Sequence, residues 1–578
     1  SSNITEATRL YKNGAGKLVF TDNETGDSVK NISGININTG TVEFTGGTLN
    51  STETINIYRT ADGTNYVHSG GTANLYAIDF QNPSGVASPD TATVTLSGGT
   101  INLSHYLWGQ DANMCIFNWE DGTLGTCTTG GGNSGSWSSE GSLKIVLGAK
   151  KDGVTQQQTF NIGSGKTVNI NCSISDADGV TADTAATLTK TGAGNLYLNA
   201  TNTFKGSLVI QEGVLRVNTA ALGSASTITL DGGTLHNNGD LTVGENVLIT
   251  ITENDGSIRA GHNVDIFVNG KITGAGRLEI AQDSADKGVV ISNSANDYTG
   301  GTLIGGGRNS SSSNATRVKL GAENPLGTGA VEFGANNSYL DLAGYGLSVK
   351  GLDSNASHTG ISVKNTGDAK TLTLGNGTVA TDNHSYSGAI TENITVEKVG
   401  LGTQTFYNAD LSATTLNIAE GTVNLSGATS VGTLNVGTNG TLQSSGNSTV
   451  SNLTMNGIWE EVIVSTSDFG QISASSVNFN PNTKLELVLD GYTLNSFDSF
   501  EILTATNFEM ANDTLPTDFD WESILPDSYV WDLNYIANGN GGSLLLSIDG
   551  NAIPEPTTWV LLVLGFVGGV ITRRIKKA

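Results

Sequence analysis

Asp176, Asp178 and Asp183 offer oxygen ligands to a cation, and calcium is the ion that such donors suit, although the stretch lacks the glutamate and the spacing of an EF-hand loop. Gly165-Lys166-Thr167 copies the end of a phosphate-binding loop. The glycine needed five residues before Gly165 is Phe160, however, and Val168-Asn169-Ile170 continues as a strand, so a turn is expected there. Asn133-Ser134-Gly135 has the look of a hydrolase nucleophile, but the upstream histidines, His68 and His105, sit in no general-base context. The other histidines, His236, His262, His358 and His384, are scattered, and Glu43, Glu279 and Glu332 occur singly at strand positions where solvent exposure accounts for them. No catalytic residue, cofactor or metal ligand is assigned.

Residues 104–140 have a different composition. Trp108, Trp119 and Trp137 lie among Asp111, Glu120 and Asp121, with Cys115 and Cys127 between them. Tryptophan beside carboxylates can stack on sugars, so glycan contact is one reading; the other is a small local core, with a disulfide between Cys115 and Cys127 as its staple. Either way the stretch is expected to be a loop or lateral insertion. Cys172 is left over, and the three cysteines lack the close spacing of a zinc site.

The elements that must position these groups are short strands stopped by glycine. Thr41-Val42-Glu43-Phe44-Thr45-Gly46-Gly47-Thr48-Leu49 is matched by residues 93–101 and 227–235, each with apolar residues on one face at period two and a Gly-Gly pair before the next strand. The chain of 578 residues holds 76 glycines and 8 prolines, and it is rich in Ser, Thr and Asn, a composition poor in helix formers. It carries 54 acidic and 28 basic residues; four of the basic and one of the acidic lie beyond residue 553, leaving 53 and 24, a formal −29, for residues 1–553. Such a surface repels nucleic acid and anionic lipid, so neither is expected as a partner of the body.

A longer unit repeats as well. It is clearest in residues 188–198, Leu-Thr-Lys-Thr-Gly-Ala-Gly-Asn-Leu-Tyr-Leu, followed by Asn202-Thr203-Phe204-Lys205-Gly206 and residues 209–215, with partial copies at 11–20, 272–278, 296–303 and 397–406. This unit resembles the passenger-associated transport repeat of autotransporter-type proteins, a resemblance that implies a right-handed parallel β-helix. Strand patterning supports that fold independently, because strands too short to bury a face alone can stack on successive coils around one core. The expected fold is thus all-β, a solenoid over 1–480, with a C-terminal β cap over 481–550 where Phe497, Phe500, Phe508, Phe519, Trp521, Tyr529 and Trp531 concentrate.

Residues 551–578 form the last element. Pro554-Glu555-Pro556 precedes an uncharged stretch, 557–572, whose apolar residues are Trp559, Leu561, Leu562, Val563, Leu564, Phe566, Val567, Val570 and Ile571, and a basic end, Arg573, Arg574, Lys576 and Lys577, closes it. The apolar run reads as a short transmembrane helix with the basic end on the cytoplasmic side. This order resembles the PEP-CTERM sorting signal of Gram-negative bacteria, which implies recognition at Pro554 to Pro556 by the membrane protease exosortase and only transient anchoring in the inner membrane. The absence of a leader before Ser1-Ser2-Asn3 fits signal-peptide removal. An exported surface or matrix protein is expected, adhesive or structural, with exopolysaccharide or surface proteins as partners and an implied link to biofilm. The alternative is a polysaccharide lyase or hydrolase whose carboxylates meet across coils.

Overall fold

The computed structural model describes residues 8–22, 29–59, 63–82, 90–111, 113–127, 136–148, 157–261, 264–283, 287–306, 315–375, 382–480, 483–493, 495, 498–510, 530–539 and 541–549. The chain divides into two compact units, one comprising 1–300 with 306–312, the other 301–305 with 313–578.

In the first unit each coil places up to three strands, and each strand pairs in parallel with its counterpart on the next coil. Leu10–Lys12 pairs with Ile35–Ile37, which pairs with Ile55–Tyr58; Lys17–Phe20 pairs with Thr41–Phe44; Val29–Ile32 pairs with Thr48–Ser51. Alternation decides which way the side chains point. In Thr41–Phe44, Val42 and Phe44 are fully buried while Thr41 and Glu43 stay half exposed. Inward residues then stack coil on coil, as in the fully buried sequence Ile101, Leu124 and Phe160. This is a parallel β-helix, in which no coil buries its apolar face without its neighbours.

The described residues of 104–140 do not form a lateral insertion. Ala92–Gln110, Cys115–Thr126 and Trp137–Ser142 are ladder strands in parallel register with the coils on either side. Cys115 opens one strand and Cys127 follows its end, so a full strand length separates them, and the expected disulfide does not form; all three thiols are free and buried.

The second unit repeats the design with its own ladders. Arg317–Leu320, Tyr339–Asp341 and Ser362–Lys364 form one, and Leu347–Val349, Lys370–Leu374 and Ile394–Lys398 another. From Asp410 onward the strands lengthen, through Asp410–Ser426 and Ser430–Ser445 to Gln471–Phe479. Ser499–Met510 is the last of this parallel run; Gly541–Asp549 then pairs antiparallel to it, and Val530–Asn538 antiparallel to that. Phe508 packs between Phe479 and Tyr535 here, with ring centroids 6.5 and 5.0 Å away. At this end the parallel ladder gives way to an antiparallel hairpin of Val530–Asn538 and Gly541–Asp549. Phe497, Phe519, Trp521 and Tyr529 lie outside the described residues, as do Pro554 to Pro556 and the hydrophobic helix and basic end expected after them; among the described residues no helix is long and apolar enough to cross a membrane.

Candidate functional site

The repeat unit has a physical centre that its sequence did not disclose. Lys190 occupies an inward position, in register between Phe160 and Ile210, and is 2% exposed. Its ammonium donates to three backbone carbonyls: Thr191 at 2.8 Å, Gly192 at 2.5 Å and Glu212, on the next coil, at 3.1 Å. Lys398 makes the same cradle with Val399, Gly400 and Glu420, and Lys12 with Asn13, Gly14 and Thr39. Each lysine is followed by x-Gly-x-Gly, at 190–194, 398–402 and 12–16. Gly192 takes φ 71°, and Gly213, one coil on, takes φ 68°; a Cβ on Gly213 would lie 2.4 Å from the Gly194 carbonyl oxygen. Burial pulls both Lys190 and Lys398 from 10.5 down to about 8, opposed by the charges of Glu212 and Glu420 respectively. The cation thus ties each corner to the following coil. The legible signal was a lysine at an apolar parity just before a glycine corner.

Outward positions form long polar columns. Register aligns Thr48, Thr72, Thr100, Thr123 and Thr159 on successive coils; the column passes through Thr189, which is buried, and Val209 and resumes with Thr229, Thr250 and Thr273. Beside it, Asn31, Asn50, Asn74 and Asn102 are chained amide to amide, each step 2.9 Å. Asn171, Asn199 and Asn238 are chained likewise at 2.7 Å. Hydroxyls and methyls of the threonine column and amides of the chain from Asn31 to Asn102 therefore recur at one coil spacing along a face, the arrangement that a repetitive polymer surface can match.

Most of the sequence candidates are placed elsewhere than on such a face. Trp119 is fully buried, edge-on to Phe160 with centroids 4.8 Å apart, and Trp137 is 2% exposed. Their indole N–H groups donate to the carbonyls of Gly122 and Gly125. These two serve the main core, and glycan contact through them is excluded. Trp108 alone stands outward and half buried, in register between Asp79 and Glu140. Burial raises Asp79 to about 6, against a hydrogen bond from Gln81.

Asp178 and Asp183 are exposed, while Asp176 accepts from the Lys205 amide at 2.9 Å; the described residues contain no group of three or more His, Cys, Asp or Glu able to hold a metal. Glu279 is not exposed as expected but 3% accessible, 3.3 Å from the Arg277 guanidinium. His236, also buried, contacts Asn237 O at 2.6 Å and the Asp283 carboxylate at 2.9 Å, and Arg259 donates to Asp283. Burial pushes Asp283 up, but His236 and Arg259 outweigh it and hold the carboxyl below its usual range. His384 donates from Nδ1 to Asp353, which lies in register with Glu332. Glu460 and Glu486 also meet across coils. Such pairs depend on register and were invisible in the sequence.

The repeat geometry agrees with the comparisons. The passenger-associated-transport-repeat model matches residues 188–217, which span the Lys190 corner, and 289–308. The chain therefore carries passenger-associated transport repeats on a parallel β-helix. It is similar to the adhesin BmaC autotransporter of Brucella suis biovar 1 (strain 1330), with 28% identity over 354 residues, covering 59% of this chain and 9% of that protein. The chain thus spans less than a tenth of the length of this relative.

Proposed function

We propose that this protein is an exported, non-catalytic adhesive β-helix of the cell surface or extracellular matrix. The observation that carries the reading is the aligned threonine and asparagine columns, set on a scaffold whose repeats match an autotransporter passenger family and whose relative is named an adhesin. Adhesion by such a face rests on many weak, regularly spaced contacts with a polysaccharide or a surface protein, so affinity grows with the number of coils engaged. The half-exposed Trp108 adds a stacking contact. Export is proposed to end in exosortase recognition of Pro554 to Pro556, transient anchoring in the inner membrane and removal of the basic end, with attachment to exopolysaccharide in biofilm; the supporting feature is the order of the three elements in residues 554–578.

Two experiments test this. Host cells lacking the protein should adhere less and form less biofilm than the wild type; equal adhesion would overturn the adhesive reading. Mass spectrometry of the extracellular and membrane fractions should find the chain ending near Pro554 to Pro556, and an extracellular chain retaining Arg573 to Ala578 would overturn the sorting reading.

A polysaccharide lyase or hydrolase is the second reading, favoured by the cross-coil groups Glu332, Asp353 and His384. Release of unsaturated or reducing ends from acidic polysaccharides by the purified protein, abolished by Asp353→Asn, would establish it.

A further inference from the structure

We propose that the first unit carries a binding site for a neutral glycan of β-linked pyranoses, built on the rings of Tyr76, His105 and Tyr106 and the amides of Asn50, Asn74 and Asn102. This rests on the adhesive reading above and names the ligand class for one place on that surface. The site is made by a bulge. Leu103 lies in register with Leu75 and Tyr106 with Ala77, so Ser104 and His105 together stand opposite Tyr76. The Ser104 hydroxyl donates to the Leu75 and Tyr76 carbonyls, at 3.2 and 3.4 Å, and holds the bulge against the preceding coil. His105 thereby sits between two tyrosines, its ring centroid 5.0 Å from that of Tyr76 and 5.0 Å from that of Tyr106, and all three residues are half exposed.

A hydrogen-bonding track runs up to these rings. Thr72, Asn74 and Tyr76 are successive outward residues of Thr72–Gln81, and Asn74 belongs to the amide chain of Asn31, Asn50, Asn74 and Asn102. A carboxamide has two N–H donors and two lone pairs, and the chain takes one donor and one lone pair from each of Asn50 and Asn74. Both therefore keep one N–H and one lone pair at half-exposed positions on neighbouring coils, about 4.8 Å apart. Every amide donates to the one on the coil before, so the row is polarised in a single direction and its members reinforce one another.

These features select the occupant. A β-linked pyranose carries its hydroxyls around the ring edge and leaves bare C–H faces, so a face can lie on an aromatic ring while edge hydroxyls both donate to and accept from amides. In a chain of formal charge −26 an anionic polymer meets repulsion, with no lysine or arginine among these six residues to offset it. A stable protein interface buries about 800 Å² on each partner around an apolar centre, whereas the aliphatic residues of these strands, Leu75, Ala77, Leu103 and Leu107, are already buried in the core.

Cellohexaose or chitohexaose should bind the full-length protein in isothermal titration calorimetry with an affinity that salt leaves unchanged, and polygalacturonate should not bind. Tyr76→Ala with Tyr106→Ala should weaken binding about tenfold or more, while Tyr76→Phe with Tyr106→Phe, which keeps both rings, should retain it. His105→Ala alone should weaken it several-fold. Tyr339→Ala should leave it unchanged, since that ring belongs to the second unit, with the Arg317 guanidinium 5.5 Å and the Lys364 ammonium 3.9 Å from its centroid. Circular dichroism would confirm that each variant is folded. The proposal is overturned if neither oligosaccharide binds, if polygalacturonate binds at least as tightly, or if the folded alanine variants at 76, 105 and 106 bind as well as the wild type. Cell adhesion that persists in any of these cases would leave the adhesive reading standing, so the two failures are distinguishable.

Discussion

Lys190→Met keeps the apolar stem of the side chain and deletes the three donors of its ammonium. The Thr191 carbonyl retains the Ile162 amide as a donor at 3.1 Å, so the loss falls chiefly on Gly192 and Glu212, at about 1–3 kcal/mol for each carbonyl left unsatisfied. Against this stands the burial of the charge: the fall from 10.5 to about 8 corresponds to about 3 kcal/mol. At neutral pH these opposed contributions leave the variant less stable by about 1 kcal/mol, the middle of the range they span. The pH dependence makes the test sharper. A lysine depressed in the fold gives up its proton before the unfolded chain does, so between pH 8 and 10.5 the wild type gains stability that the variant cannot gain, and the gap widens. Urea unfolding followed by circular dichroism at about pH 7.5 and about pH 10 measures the gap, and hydrogen exchange near neutral pH should place the loss within residues 188–217. A methionine variant as stable as the wild type, or a gap that closes at high pH, would refute the cradle as a source of stability.

His68 is fully buried, stacked on Phe44 at 5.2 Å, and burial lowers it to about 4 despite its contact with the Gly71 carbonyl; the unfolded chain takes up this proton first, so stability should fall by about 3 kcal/mol from pH 6.5 to pH 4. His68→Phe should flatten that slope in acid denaturation curves. Burial raises Glu461 well above its usual range, against hydrogen bonds from its Ser444 and Trp459 surroundings, so the fold keeps a proton that the unfolded chain releases above pH 4.5. Wild-type stability should consequently decline above that pH, and Glu461→Gln should raise the melting temperature at neutral pH; no gain there would count against a buried neutral acid. Gly213→Ala, which meets the Gly194 carbonyl, should cost several times the ~1–2 kcal/mol expected of Gly165→Ala, whose backbone is also left-handed but whose Cβ would touch nothing, as paired melts would show.

The fold was legible because its signals are local. Val42 and Phe44, or Ile228 and Leu230, announce the inward face by period two, and paired glycines announce the corners. What failed was the assumption that unusual residues mark unusual structure. Trp119 and Trp137 are large inward residues of an ordinary coil, and Cys115 is another. Lys190, Lys398 and Lys12 fall inside the repeat copies, where an inward lysine before a glycine corner is a local signal, but the third carbonyl of each cradle lies one coil away. The same distance hid the burial of Glu279, the His236–Asp283–Arg259 cluster, and the approach of Arg317 and Lys364 to Tyr339.

Parallel pairing that links each coil to the next has a mechanical meaning within either unit. Tension along the stacking direction falls on one seam at a time, and the seam between two coils opens by unzipping. A coil frees 20 residues where Leu208 lies under Ile228, and 30 where Gln157 lies under Thr187. Each rupture therefore lengthens the tether by about 7–10 nm, while coils not yet loaded stay folded. The buried lysines act as rivets at the corners where a seam would start to open. In the adhesive role proposed above, each unit would yield in steps under shear rather than all at once.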